Sequence, residues 1–498
     1  MAVLPERRGW FFWSRGCWQF EATIGRASRA VSKNARGHIV TMDPITNTPG
    51  HDEQGRKGSA RYLYLPAMVA AIGGLLFGFD TAVINGAIVF IKQQFGLSDS
   101  QTEIAASSLL LGCVVGASVA AFTSDRFGRK RVLLGAAALF TVSSIGSALP
   151  RNLIEFAVAR LLGGVAIGIA STLSPLYIAE ISPAGKRGLL VSLNQLAIVS
   201  GILLSYCVNY LLTGAGPANW RWMFASAALP SVLFFLTLLF IPESPRWLMQ
   251  KGREQEAEHF LAQIVGPQAA AGEIKTIRAA ISEESGDLLD PTFRQALLVA
   301  IVIALFSQFT GINTIIYYGS LVFLEHVPHQ TASTALWANV IIGAMNFVAT
   351  VVGMLLIDRS GRKPLLMSAF AGMALSLVAV SVAIHFQAAG AIVLILVLTY
   401  VACFAVGVGT GTWVLMSEIC PTRVRGRAMS VATVFLWCGT LLVTLTFLSL
   451  VNLFTASGVF LLYATVSIAA FLFVWRGIPE TKGRTLEEIE KWWLTQRV

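Results

Sequence analysis

Charge is scarce in this sequence. Only 13% of its 498 residues are Asp, Glu, Lys or Arg, while 55% are hydrophobic; a soluble domain carries about 25% charged residues. A chain this long and this apolar cannot bury its hydrophobic surface inside one globule, so lipid is the solvent for most of it. Cysteine and histidine are few as well. The six cysteines (Cys17, Cys113, Cys207, Cys403, Cys420, Cys438) show no paired metal-ligand spacing, and five of them fall in or at the ends of apolar runs, where they read as small packing residues. The histidines lie almost entirely in tails and loops. There is no Ser/His/Asp set, no metal-ligand cluster and no phosphate-binding glycine loop, so an enzyme is not expected, nor a metal or cofactor. The formal net charge of +10 invites a nucleic-acid partner. However, the basic residues sit in short clusters between apolar runs, a topology pattern and not a binding stripe, so nucleic acid is not expected as a partner.

What is there in quantity is apolar sequence. A spanning helix needs about 20 apolar residues, and twelve such runs are present: 63–90, 104–124, 132–149, 153–179, 188–212, 221–241, 294–324, 332–357, 364–386, 390–417, 427–452 and 457–476. A polar stretch, 243–293, divides them into six and six and reads as amphipathic helices at the membrane surface. The expectation is an all-α membrane protein of twelve transmembrane helices. Its parts would be a tail (1–61), a first six-helix bundle (62–242), a helical linker (243–293), a second bundle (294–477) and a second tail (478–498). The first 61 residues are rich in Arg and lack an apolar stretch long enough for a signal peptide. A disordered cytoplasmic tail is expected there, with a true start at Met42 or a targeting presequence as alternatives. Twelve Lys and Arg lie in the connections after spans 2, 4, 8 and 10, against Lys92, Arg151 and Arg221 on the other side. That asymmetry predicts both termini in the cytoplasm.

The charges also reveal a repeat. Asp125-Arg126-Phe127-Gly128-Arg129-Lys130 recurs as Asp358-Arg359-Ser360-Gly361-Arg362-Lys363. Glu180-Ile181-Ser182-Pro183 with Arg187 recurs as Glu418-Ile419-Cys420-Pro421 with Arg425, and Pro242-Glu243-Ser244 is echoed by Pro479-Glu480-Thr481. Each pair occupies the same place in its half. This is a parallel duplication, which puts a pathway between two bundles near the bilayer midplane. Asp125, Arg129, Glu180 and Arg187, with Asp358, Arg362, Glu418 and Arg425, all lie at cytoplasmic helix ends. There they can form the ion pairs of a gate, with Glu180–Arg187 and Glu418–Arg425 bracketing a helix end in each half.

Charged residues inside spans are costly, about 2.5–3.5 kcal/mol each on insertion scales. Asp80 lies in span 1 and Arg160 in span 4. At 1.5 Å per residue both sit roughly 10–12 Å below the outer surface, so they can pair. Amides and aromatics in spans 5, 7, 8 and 10 could hydrogen-bond a polyhydroxylated solute and cover its ring: Gln195, Gln308, Asn313, Tyr317, Tyr318, Asn346 and Trp413.

These motifs resemble the sugar-porter family of the major facilitator superfamily, from about Tyr64 to Trp492. They are Arg126 to Lys130, Pro175-Leu176-Tyr177-Ile178-Ala179-Glu180, Pro242 to Arg246, Gln308 with Gly311-Ile312-Asn313, and Pro479 to Gly483. The resemblance implies alternating access, a monosaccharide as substrate and, from the Asp at position 80 with its partner Arg160, a proton as the coupled ion. Passive facilitators of the family usually have a neutral Asn there. By the same resemblance Phe77, Gln195, Gln308, Asn313, Asn346 and Trp413 fall on or near sugar-contacting positions. The expected function is therefore a sugar:proton symporter, multi-pass in the cell membrane, working as a monomer among lipids. A passive facilitator or an inositol/polyol transporter is the alternative. Two departures bear on which sugar is carried. Ser307 stands where the family commonly has the first of two consecutive Gln residues, and span 11 offers Leu436 and Thr440 around Trp437 in place of amides.

Overall fold

The computed structural model describes residues 59–283, 291–420 and 424–482. The expected tails lie outside the described residues, except for their edges at Ser59–Arg61 and Ile478–Lys482. The side chains of Asp358 and Arg425 lie outside them too.

The described chain is helical. In order it forms α1 (Ala60–Phe95), α2 (Asp99–Phe127), α3 (Arg129–Ala148), α4 (Leu153–Ile181), α5 (Ala184–Leu212), α6 (Asn219–Ser226) and α7 (Ala228–Leu239). The short α8 (Pro245–Gln250), α9 (Glu254–Val265) and α10 (Pro267–Glu283) follow. Then come α11 (Pro291–Phe309), α12 (Ile312–His326), α13 (Ala332–Ser360), α14 (Arg362–His385), α15 (Gly390–Cys403), α16 (Thr410–Ile419) and α17 (Arg425–Gly477). Local chemistry sets several starts. Ser98 caps α2 in a reciprocal box with Gln101, and Asn152 accepts from Glu155 N at the start of α4. Such caps satisfy backbone donors that have no partner inside the helix.

Eleven helical segments among the described residues are long and apolar enough to cross a membrane. The last of them, α17, is 53 residues long, about 80 Å at 1.5 Å per residue, against a hydrocarbon core of about 30 Å. Thr455 interrupts it with φ 65° and ψ 160°, between the runs expected as spans 11 and 12. Twelve crossings fit this chain.

Close packing in lipid relies on small residues, because lipid tails are as apolar as Leu and little hydrophobic force drives helices together. Gly112 and Gly116 of α2 face Gly164 and Gly168 of α4 so closely that an added Cβ on any of the four would collide with backbone across the crossing. Gly78 and Gly201 do the same where α1 meets α5. Within the stretch 243–293, expected as a helical linker, α8, α9 and α10 bury Trp247, Leu248, Ala257, Leu261, Ala270 and Ile274 against one another.

Candidate functional site

The duplicated motifs form two matching clusters at the end of the bundle that carries the basic connections. In the first half, Arg129 grips Glu180 through Nε and Nη2, each at 3.0 Å. Its Nη1 pairs with Asp125 at 3.0 Å and donates to the Ser124 carbonyl at 3.2 Å. Glu243 accepts from the backbone N–H groups of Arg129 (2.9 Å) and Lys130 (3.1 Å) at the start of α3, and Ser244 Oγ donates to Glu180 at 2.5 Å. The second half repeats this arrangement in its described side chains, Asp358 lying outside them. Arg362 holds Glu418 at 2.9–3.2 Å and donates to the Ile357 carbonyl; Glu480 accepts from Arg362 N and Lys363 N; Thr481 Oγ1 donates to Glu418 at 2.6 Å. Gly128 and Gly361 have φ 99° and 89°, and a Cβ at either would run into Glu243 or Glu480. Glycine thus admits the carboxylate to the helix N-terminus, where the dipole favours it.

These pairs differ from the expected ones in one respect. Glu180 is held by Arg129 and Ser244, whereas Arg187 is exposed at the start of α5 and makes no ion pair with a described residue. Seven residues on two helices separated by Pro183 do not bring those side chains together. The Glu418–Arg425 pair involves a side chain outside the described residues. Among the described residues, these hydrogen bonds and ion pairs of each cluster run within its own half.

Asp80 and Arg160 do meet. Arg160 Nη1 lies 2.5 Å from Asp80 Oδ1, and its Nη2 donates to the Asp80 carbonyl at 2.8 Å. Arg160 is fully buried, with its guanidinium 5.0 Å above the Phe224 ring. Asp80 Oδ2 and Arg160 Nε have no hydrogen-bond partner. The pair is therefore only partly satisfied by protein groups, and an unmatched buried polar atom costs about 1–3 kcal/mol.

A second polar group forms where the seventh span breaks. Gly311 has φ 88°, and a Cβ on it would enter the Tyr463 ring. The turn it makes ends α11 at Phe309 and starts α12 at Ile312; Tyr400 donates to the buried Thr310 carbonyl at 3.0 Å. Gln308 and Asn313, on either side of the break, are joined at 2.7 Å (Asn313 Nδ2 to Gln308 Oε1). Irregular backbone at membrane depth is tolerated where it lines a cavity or is buried in protein, and broken helices mark solute sites in transporters. Span 10 is irregular too, with a π-helical stretch at Phe404–Gly409 ahead of α16, a feature frequent at functional sites.

Of the other expected solute contacts, Gln195 (α5), Asn346 (α13) and Trp413 (α16) are half-buried and form no hydrogen bond with a described residue. Phe77 stands 5.2 Å from Trp437 across the two halves. Trp437 was not among the expected contacts; its Nε1 is buried and unpartnered. Tyr318 sits elsewhere in role: fully buried, it stacks on Phe447 at 5.3 Å and donates to the Thr444 carbonyl at 2.8 Å, bracing α12 against α17.

At the end opposite the basic clusters, hydrogen bonds join the two halves. Asn85 of α1 donates to the Ile315 and Ile316 carbonyls of α12 at 2.9 Å, and its Oδ1 accepts from Ser320 N at 2.9 Å and Asn339 Nδ2 at 3.1 Å. Glu103 of α2 accepts from Ser449 N and Oγ at 2.8 and 2.7 Å. Lys92 bridges Asp99 and Glu325, each at 3.0 Å. On α1, then, Phe77, Asp80 and Asn85 lie within nine residues.

Comparison with known proteins agrees with this anatomy. A family model described as "Sugar (and other) transporter" matches residues 66–493. The arabinose-proton symporter of Bacillus subtilis (strain 168) is 39% identical over 465 residues, covering 90% of this chain and all of that protein. The D-xylose-proton symporter of Escherichia coli (strain K12) is 37% identical over 475 residues, covering 87% and 96%. Among solved structures, the xylose transporter XylE from E. coli in a partially occluded inward open conformation superposes with a TM-score of 0.78 at 35% identity, over 86% of this chain and all of that one.

Proposed function

The chain belongs to the "Sugar (and other) transporter" family, and from that premise we infer that it moves a monosaccharide across the cell membrane by alternating access, together with a proton. The basic clusters face the cytoplasm in this reading, as the positive-inside rule asks. The hydrogen-bonded end, from Asn85 to Glu103, then seals the outside, so the structure corresponds to an inward-facing state. The likeness to an inward open conformation of a xylose transporter supports this.

The observation that carries proton coupling is the Asp80–Arg160 pair. A carboxylate with one free oxygen, buried beside a guanidinium, can take a proton only by giving up its charge attraction to that cation, and breaking a buried pair from one side costs about 3–5 kcal/mol. Proton binding and the fit of α1 against α4 are therefore linked. Because α1 also carries Phe77 at the solute group and Asn85 at the outer seal, a change at Asp80 reaches both through a single rigid helix. The solute group consists of Phe77, Gln195, Gln308, Asn313, Asn346, Trp413 and Trp437. The duplicated arginine–glutamate clusters stiffen the cytoplasmic ends that must part and close in each cycle.

Uptake of a panel of labelled pentoses, hexoses and inositol into vesicles, with and without a pH gradient, tests the reading. Asp80→Asn keeps shape but removes titration. It should abolish accumulation against a gradient while sugar exchange between preloaded vesicles and medium persists. Accumulation by Asp80→Asn in response to an imposed pH gradient would remove Asp80 from the coupling, and a wild type that only equilibrates sugar would be a passive facilitator.

A further inference from the structure

Arg160 of α4 occupies one oxygen of Asp80, Oδ1 at 2.5 Å, and leaves Oδ2 without a hydrogen-bond partner. A Cβ built on Gly163, three residues further along α4, would stand 3.2 Å from that free oxygen and 2.3 Å from the hydroxyl oxygen of Ser143 on α3. Both oxygens therefore lie against one point of α4, which a glycine leaves without a side chain. Ser143 is buried, and its Oγ lies 2.8 Å from the Ala159 carbonyl. A hydroxyl has one proton and a carbonyl can only accept. Ser143 thus gives its proton to Ala159 and keeps only lone pairs for its other neighbours. A charged carboxylate likewise accepts and cannot donate, so Ser143 Oγ and Asp80 Oδ2 have no proton to share. A proton on Oδ2 changes this, because the acid then has an O–H to give to an oxygen that can only receive.

Among the described residues, the other titratable side chains in electrostatic reach of Asp80 are Cys113 of α2 and Tyr317 of α12. A thiol and a phenol ordinarily titrate near pH ~8.5 and ~10, so around neutral pH Arg160 is the charged partner.

We propose that Ser143 is a positioning residue for the coupled proton: its hydroxyl oxygen accepts the hydrogen bond of a proton carried on Asp80 Oδ2. The inference rests on the proton-coupling reading above. It gives Asp80 a different partner in each state. The carboxylate is held to α4 by Arg160, and the acid is held to α3 by Ser143. A hydrogen bond made only to the neutral form favours that form, so Ser143 helps Asp80 to load its proton while carrying no charge itself.

The test is initial uptake of the best-transported monosaccharide into vesicles holding the full-length protein. Uptake is measured against external pH at fixed internal pH, each profile scaled to its own acid plateau. Ser143→Ala removes the acceptor and should move the midpoint to lower pH by ~0.5–1 unit. Ser143→Cys keeps a side chain of similar size but offers only a weak acceptor, and should move the midpoint the same way. Ser147→Ala, at a buried serine one turn further along α3, is the control and should leave the midpoint in place. A packing role for Ser143 would lower uptake at every pH without moving the midpoint. An unmoved midpoint in Ser143→Ala, a shift to higher pH, or an equal shift in Ser147→Ala overturns the inference. A wild type indifferent to external pH, or an Asp80→Asn variant that keeps the wild-type profile, sinks the proton-coupling reading and this inference together. A profile that vanishes in Asp80→Asn yet stays unmoved in Ser143→Ala sinks this inference alone.

Discussion

At the scale of single residues, the aromatic side chains Tyr318 and Trp413 differ in commitment, and the proposed site gives bracing to the first and recognition to the second. Tyr318 commits its hydroxyl proton to the Thr444 carbonyl and lies fully buried, while Trp413 is half-buried with no described hydrogen-bond partner. Tyr318→Phe should therefore destabilise the protein by about 1 kcal/mol, the net worth of one hydrogen bond. Its half-saturating sugar concentration should stay within ~2-fold of wild type. Trp413→Ala should raise that concentration several-fold with the fold intact; a reversed pattern in uptake and thermal melting would exchange their roles. Asp80 and Arg160 could be read from the sequence because charge inside a span is rare and depth follows from counting residues. Tyr318 and Trp437 could not be sorted the same way. In helices apolar on every face, periodicity does not say which aromatic faces the path, and the only hint at Trp437 was its place between two positions lacking the usual amides.

At the scale of elements, the helix ends carry more information than the helix bodies. The motif after α2 and the Glu that ends α4 were legible as a cluster, but the partner assignment was not. Seven residues of separation suggested Glu180 with Arg187, whereas Arg129, 51 residues away, holds both carboxylate oxygens. Sequence distance is a poor guide once a proline turns the chain between two helices. Arg129 and Glu180 have side chains 5% exposed, so Arg129→Ala leaves a carboxylate uncompensated and should cost about 3–5 kcal/mol, visible as a lowered melting temperature in detergent. Arg187→Ala, on an exposed helix start, should shift stability by no more than about 0.5 kcal/mol. Equal effects from both would mean that the cluster does not hold the helix ends together. The break at Gly311 was legible only as a motif; that it splits one span into α11 and α12 depends on Tyr463 filling the space where a side chain would be, a long-range fact that no local pattern carries.

At the scale of the whole molecule, the duplication was readable because charges are so few that their repeats stand out against an apolar background. The contacts that join the halves were not, since Asn85, Ser320, Asn339 and Ser449 are ordinary small polar residues scattered along apolar helices. One feature of the duplicated clusters bears on how the protein is made. Among the described residues, the bonds of Arg129 with Glu180 and Glu243, and of Arg362 with Glu418 and Glu480, each lie within one half. The first bundle can therefore lock its own helix ends while the ribosome is still translating the second. A gene cut within codons 284–290 and expressed as two polypeptides should yield fragments that insert separately, co-purify and restore at least a measurable fraction of sugar uptake. Degradation of the first fragment whenever the second is withheld would show that neither half matures without its twin.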